Sequence, residues 1–130
     1  MSPAASQLYG FEAGVSQGPL VNERAVAKVE DHVQDALAHG ARVLCGGERH
    51  ALGHGFFQPT VLAGVTTQMK VAREETFGPL AAVFRFGSEA QAVEMANDTD
   101  SGLAAYCYTR DLGGAWRMSE ALEYTLMDGL

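Results

Sequence analysis

The sequence predicts an α/β fold in which a parallel sheet is flanked by helices. Three observations predict it. Strand-like and helix-like stretches alternate along the chain. Three of the strand-like runs, near 41–45, 80–86 and 103–109, are almost wholly apolar, as expected of parallel strands covered on both faces. The clearest helix ends at Gly40 and runs straight into Ala41-Arg42-Val43, which reads as the second half of a β-α-β step. Three strands and three helices then make one small doubly wound layer.

Residues 1–17 carry little pattern. Gly10, Gly14 and Gly18-Pro19 punctuate them, so they read as loop. Asn22 is suited to cap a helix, and Glu23 favours its first turn. Val26, Val29, Val33, Ala36 and Leu37 recur at helical spacing and form the expected buried stripe. Ala41 to Cys45 is a short strand, closed by Gly46-Gly47, and residues 48–55 read as a polar, Gly-rich loop. The run Phe56 to Leu62 is extended, but Pro59 has no N–H to give a ladder. It is therefore expected at an edge or outside the main sheet. Residues 66–70 read as a connection of about one helical turn.

Leu80 to Phe84 is the central strand. Ser88 and Gln91 form a capping box for the helix after it, with Ala92, Val93 and Ala96 facing inward. Residues 97–102 turn the chain into the third strand. Asp111 caps a last helix, whose expected stripe holds Trp116, Ser119 (or Ala115) and Leu122. Gly113 and Gly114 weaken its first turn by about 1 kcal/mol each relative to Ala.

Composition excludes several classes. Of 130 residues, 47% are hydrophobic and 19% charged, which suits one domain or part of one and not a disordered chain. A net charge of -7, from 16 acids and 9 bases, argues against a nucleic-acid surface. No apolar stretch approaches the roughly 18 residues of a membrane span. The first residues lack the basic start and apolar core of a signal peptide. Two cysteines, Cys45 and Cys107, are too few for a disulfide scaffold, so a cytoplasmic location is expected.

The most specific run is Arg73-Glu74-Glu75-Thr76-Phe77-Gly78-Pro79-Leu80. Propensity explains its last residues as a strand but not the paired acids before them. Adjacent carboxylates repel unless solvated or partnered. Acids beside an aromatic at a strand end make a ligand rim, or else a solvated loop-strand junction. Elsewhere the signals are weak. Gly46-Gly47 has no G-x-G-x-x-G context and reads as a turn. Cys45, His50 and His54 lack both a helix to align them and a fourth ligand, so no metal site is assigned. Both cysteines read as structural, with Cys107 buried and inert inside its apolar strand. No residue is assigned as a nucleophile or other catalytic group.

Residues 74–79 resemble the E-E-x-F-G-P signature of the NAD(P)-dependent aldehyde dehydrogenase family. Further pieces follow in the family's order: Gly18-Pro19-Leu20, Gly40-Ala41-Arg42-Val43 with Gly46-Gly47, Phe57 to Leu62, Ala96-Asn97-Asp98-Thr99, Gly102 to Tyr106, and Arg110-Asp111-Leu112. The resemblance is strongest to the succinate-semialdehyde dehydrogenase branch, through Ala25 to Glu30, Glu75 to Leu80 and Glu120 to Tyr124. It implies residues 1–9 as an unmatched N-terminal segment, 10–124 as a catalytic-domain fragment and 125–130 as a divergent end. The family's next strand reads G-I/V-V-G-I-N, whereas this chain has Thr125-Leu126-Met127-Asp128-Gly129-Leu130.

The resemblance implies an oxidoreductase that converts an aldehyde to a carboxylic acid with NAD or NADP. It assigns Glu75 to the hydroxyls of the nicotinamide ribose and Phe77 to the side of the nicotinamide. The family's nucleophilic cysteine, general-base glutamate and dinucleotide-binding domain lie upstream of the matching region, so the chain alone is expected to be inactive. The implied partner is a small aldehyde, with no nucleic acid and no membrane, and homo-oligomerisation is left open. The competing class is a non-catalytic α/β module that associates with a partner chain through a sheet edge.

Overall fold

The computed structural model describes residues 6–7 and 14–129. The chain divides into two compact units, Met1–Arg85 and Phe86–Leu130. Instead of one doubly wound layer, the described strands form three separate sheets, two in the first unit and one in the second.

In the first unit, β1 (Ser6–Gln7) and β2 (Val15–Gln17) pair as a short parallel ladder where the sequence suggested loop. Residues 8–13, where Gly10 falls, lie outside the described residues. The Gln17 side-chain amide donates to the Phe57 carbonyl (3.3 Å) and ties β2 to the core.

Helix α1 (Glu23–Ala38) starts at Asn22, whose side-chain oxygen accepts the Ala25 N–H. It stops at Gly40, where φ is +94°, a conformation that favours glycine over residues with a Cβ. Val26, Val29, Val33 and Ala36 are fully buried, as their spacing predicts. Leu37 is not: it lies off that stripe and is 41% exposed. His32 takes a buried place on the same face instead.

A three-stranded sheet lies against α1, in the order β3 (Arg42–Cys45), β4 (Thr60–Ala63), β5 (Leu80–Val83). β4 and β5 are parallel, whereas β3 runs antiparallel to β4, so the helix-to-strand step at Gly40 does not add a parallel strand. β4 is the centre of the sheet, not its edge. The proline does not prevent this because the ladder starts one residue later: Thr60 N–H donates to the Pro79 carbonyl at 2.8 Å. Before β4, the loop folds back at the Arg49–Phe57 bridge. Between β4 and β5, the helical turn falls at α2 (Lys70–Arg73), later than expected. Its first N–H donates to the Asp35 carboxylate of α1 (2.8 Å), which satisfies one of the donors a helix start leaves free.

The core forms between α1 and one face of this sheet. Val26, Val29, Val33 and Phe57 make one cluster, and Ala36, Ala41, Leu62, Val65 and Met69 make the other. Burying each of the larger side chains contributes about 1.5–3 kcal/mol. Leu80, Ala82 and Phe84 pack against this core, while Ala81 and Val83 point away and are exposed. Leu44 is 63% exposed. Among the described residues, the apolar strands are therefore covered on one face only.

The second unit contains α3 (Glu89–Asn97), β6 (Ala104–Cys107), α4 (Leu112–Ala121) and β7 (Leu126–Gly129), with β6 and β7 parallel. Ser88 caps α3 by accepting the Gln91 N–H. Gln91 returns its bond to Gly87 N–H, one residue earlier than a reciprocal box requires. Asp111 caps α4 through the Gly113 and Gly114 N–H groups. Trp116 is 67% exposed, so the expected apolar stripe of α4 is not buried in this unit. Polar clamps hold the unit instead. Asn97 donates to the Ala121 carbonyl (2.9 Å) and accepts the Glu123 N–H (3.0 Å), and the Tyr124 hydroxyl donates to the Ala96 carbonyl (2.8 Å). Cys107 is half-buried rather than fully buried, because a two-stranded sheet covers less of it than a central strand.

Candidate functional site

The run 74–79 leaves α2 and enters β5 along the side of α1, which grips alternate members of it. Glu74 Oε2 lies 3.4 Å from His32 Nε2 and 3.5 Å from Lys28 Nζ. The contact with His32, helped by Lys28 and opposed by desolvation, holds the Glu74 carboxyl below its ordinary range. Thr76 Oγ1 lies 2.6 Å from His32 Nδ1. At Gly78 an added Cβ would sit 2.5 Å from Val29 Cγ2 and 3.2 Å from Leu20 Cδ2, so only a residue without one fits there.

Glu75 and Phe77 are the members left over, and both are exposed, Phe77 by 77%. Glu75 makes no hydrogen bond or ion pair among the described residues. Both line one open cavity of about 360 Å³, together with Asn22, Arg24, Ala25 and Lys28. Phe77 also borders a second, more apolar cavity of about 470 Å³ beside Pro19, Leu20 and Pro79. The site therefore presents an acceptor carboxylate, an aromatic wall and two cations on the first turn and a half of α1.

This arrangement suits a flat heterocycle attached to a polyol. A carboxylate accepts from two neighbouring hydroxyls, and a phenyl ring packs against a planar ring. Arg24 and Lys28 also line the cavity, Lys28 being shared with Glu74 at 3.5 Å. Glu75 and Phe77 share a face because residues two apart on an extended segment do. Lys28, His32 and Thr76 escaped the sequence reading. The signal for His32 was its place on the apolar stripe of α1, where a polar ring needs partners.

The other candidates stay apart. Cys45 is exposed at the end of β3, with its thiol 3.7 Å from the Pro59 carbonyl, and neither it nor Cys107 lines the two cavities. Cys45, His50 and His54 are not gathered: among the described residues no three His, Cys, Asp or Glu side chains converge on a metal-sized site. Among the same residues, no helix is long and apolar enough to cross a membrane.

An α/β sheet whose strand opens from a Glu-x-Phe-Gly-Pro rim defines the class. Residues 5–127 match the aldehyde dehydrogenase family, and the chain belongs to that family. The succinate semialdehyde dehydrogenase of Acinetobacter baylyi is 60% identical over 118 residues, 91% of this chain and 24% of that protein. The 3-sulfolactaldehyde dehydrogenase of Pseudomonas putida is 62% identical over the same number of residues, again 91% of this chain and 24% of that protein. The Escherichia coli succinate-semialdehyde dehydrogenase [NADP(+)] is 54% identical over 130 residues, 98% of this chain and 27% of that protein.

Among solved structures, a succinate-semialdehyde dehydrogenase from Burkholderia pseudomallei superposes with a TM-score of 0.90 at 62% identity, covering 92% of this chain and 25% of that one. A Staphylococcus aureus betaine aldehyde dehydrogenase in complex with NAD+ superposes with a TM-score of 0.90 at 32% identity, covering 96% and 26%. The chain spans about a quarter of the length of the curated relatives it matches.

Proposed function

We propose that this chain supplies the nicotinamide-ribose clamp, and part of the supporting sheet, of an NAD(P)-dependent enzyme that oxidises a small aldehyde to a carboxylic acid. The observation that carries this is the pairing of Glu75 and Phe77 on one open cavity, with Arg24 and Lys28 beside them. The cofactor fits these groups. Glu75 has no partner among the described residues and is free to accept two ribose hydroxyls, and Phe77 stands clear of the core as a wall for the nicotinamide. When bound, the cofactor supplies the hydride acceptor. The chain's own part is orientation, which matters because hydride transfer requires near-contact geometry.

The succinate-semialdehyde dehydrogenases among the relatives favour a semialdehyde substrate. The similar likeness to a 3-sulfolactaldehyde dehydrogenase is consistent with a proposal in which the selecting residues lie outside this segment. These substrates share an aldehyde and an anionic group. In the proposed division of labour the chain alone does not turn over aldehydes, since neither of its cysteines stands at the candidate site.

The test uses a chimera carrying residues 14–124 in place of the matching quarter of the Acinetobacter relative. Glu75→Gln should preserve folding and slow cofactor-dependent aldehyde oxidation. Unchanged kcat and cofactor KM would remove the clamp from the proposal. A second reading, a non-catalytic module that associates with a full-length homologue, is favoured by the exposed Leu44 and Val83 on the open sheet face. Sedimentation of the purified chain, alone and mixed with the homologue, separates the two.

A further inference from the structure

His32 is fully buried on the stripe of α1 that is otherwise built from Val26, Val29, Val33 and Ala36. A buried imidazole costs free energy unless its nitrogens find partners. Both partners come from the signature run 42 and 44 residues away, Glu74 to Nε2 and Thr76 to Nδ1. An ionised carboxylate only accepts, so in the neutral ring Nε2 carries the hydrogen and the Thr76 hydroxyl donates to Nδ1. On the same helix Lys28 faces Glu74, and Val29 closes on Gly78.

The helix thus holds positions 74, 76 and 78. The geometry points to His32 as a positioning residue: through Thr76 and Glu74 it fixes the backbone from which Glu75 and Phe77 project into their cavity. A buried polar ring does this better than a larger apolar one. Its two ring nitrogens are directional, and a slip of one residue along the run would leave them unpaired. What Glu75 and Phe77 then meet rests on the proposed cofactor reading; the positioning itself does not.

The decisive variant is Thr76→Val, which keeps the side chain's shape, removes the hydroxyl and lies outside the core. NMR of the purified 130-residue chain should show backbone order parameters at Glu75 and Phe77 falling from the rigid range, about 0.85, toward ~0.6 or below. Those of α1 and β4 should hold. Measured at a pH where the imidazole is neutral, its 15N signals should report the Nε2–H form in the unmodified chain and a shifted Nδ1 resonance in Thr76→Val. Thr76→Ser should restore both readings. His32→Gln should repeat the loosening; it also alters the core, so if it unfolds the chain, the Thr76→Val measurement alone decides. Unchanged order at Glu75 and Phe77 overturns the proposal, as does an equal loss of order throughout the unit or a failure of Thr76→Ser to restore it. If Glu75→Gln leaves the chimera's kinetics unchanged while Thr76→Val still loosens the run, the cofactor reading fails and the positioning role stands.

Discussion

His32 Nδ1 and Thr76 Oγ1 lie 2.6 Å apart although 44 residues separate them in the chain. This contact joins the longest helix to the most specific run of the sequence. It shows why that run is not simply a solvated junction. One of its acids, Glu74, is engaged by α1, and the other, Glu75, is left free among the described residues. Glu74 is compensated by Lys28 and His32 and Glu75 by solvent in its open cavity, which offsets the repulsion that made the pair conspicuous.

Glu75→Gln is expected to be nearly silent for stability and costly for chemistry. Glu75 is exposed and bonds to nothing among the described residues, so the fold does not depend on its charge. A charge-assisted hydrogen bond to a ribose hydroxyl is worth about 1.5–3 kcal/mol. Its loss corresponds to a roughly ten- to hundredfold slower hydride step in the chimera. Single-turnover kinetics with a deuterated aldehyde would read that step directly.

Gly78→Ala should destabilise the first unit. The new methyl would lie 2.5 Å from Val29 Cγ2, and Val29 is fully buried and cannot swing out. Overpacking of this kind costs about 1–3 kcal/mol. Shortening the neighbour makes room, so Gly78→Ala and Val29→Ala together should cost less than the sum of the two alone. Urea denaturation of the four proteins measures that coupling. Strict additivity would mean that the run has moved away from the helix.

The helices were legible because they are local. Asn22, Ser88 and Asp111 cap as their side chains predict, and the stripe from Val26 to Ala36 faces the core. The sheet was less legible because strand pairing is not local. Nothing within Arg42 to Cys45 states that its neighbour runs antiparallel, and Pro59 excludes a ladder only at its own position. The rim could be read from sequence as far as Glu75 and Phe77, since alternation places them together. Its supports could not, because His32 and Val29 come from a helix more than forty residues earlier. Their meeting with the run is a tertiary event.

The two thiols should react in a fixed order. Cys45 is exposed at the end of β3, and its thiol makes a weak contact to the Pro59 carbonyl at 3.7 Å. Cys107 is half-buried in β6, in the other unit. Access sets much of the rate of a thiol reaction. Timed alkylation followed by mass spectrometry should find Cys45 modified first and Cys107 later, with both completed in denaturant. Equal rates in the folded chain would show that β6 does not protect its cysteine.

Arg49 should make stability depend on pH in the acid range. Its guanidinium donates to both Glu30 oxygens, at 2.7 and 2.8 Å, and lies 2.6 Å from Glu23. These bonds pin the loop before β4 onto the outer side of α1. The hydrogen bonds from Arg49, with its charge adding and desolvation opposing, hold the Glu30 carboxyl below its ordinary value. A carboxyl depressed in the folded state binds its proton more readily when unfolded. Its contribution is therefore complete above the ordinary glutamate range and is lost as pH falls through the depressed folded value. Both partners are largely exposed, so solvent and salt screen the effect and the shift in Tm should be small. Arg49→Met keeps the length of the stem and removes the charge. The Tm difference between it and the unmodified chain should be greatest near neutrality, shrink as pH falls below the ordinary glutamate range, and narrow further in high salt. Placing Glu30→Gln in both proteins should remove most of that pH dependence. A difference that survives unchanged into strong acid would mean that Arg49 acts through the packing of its stem and not through Glu30.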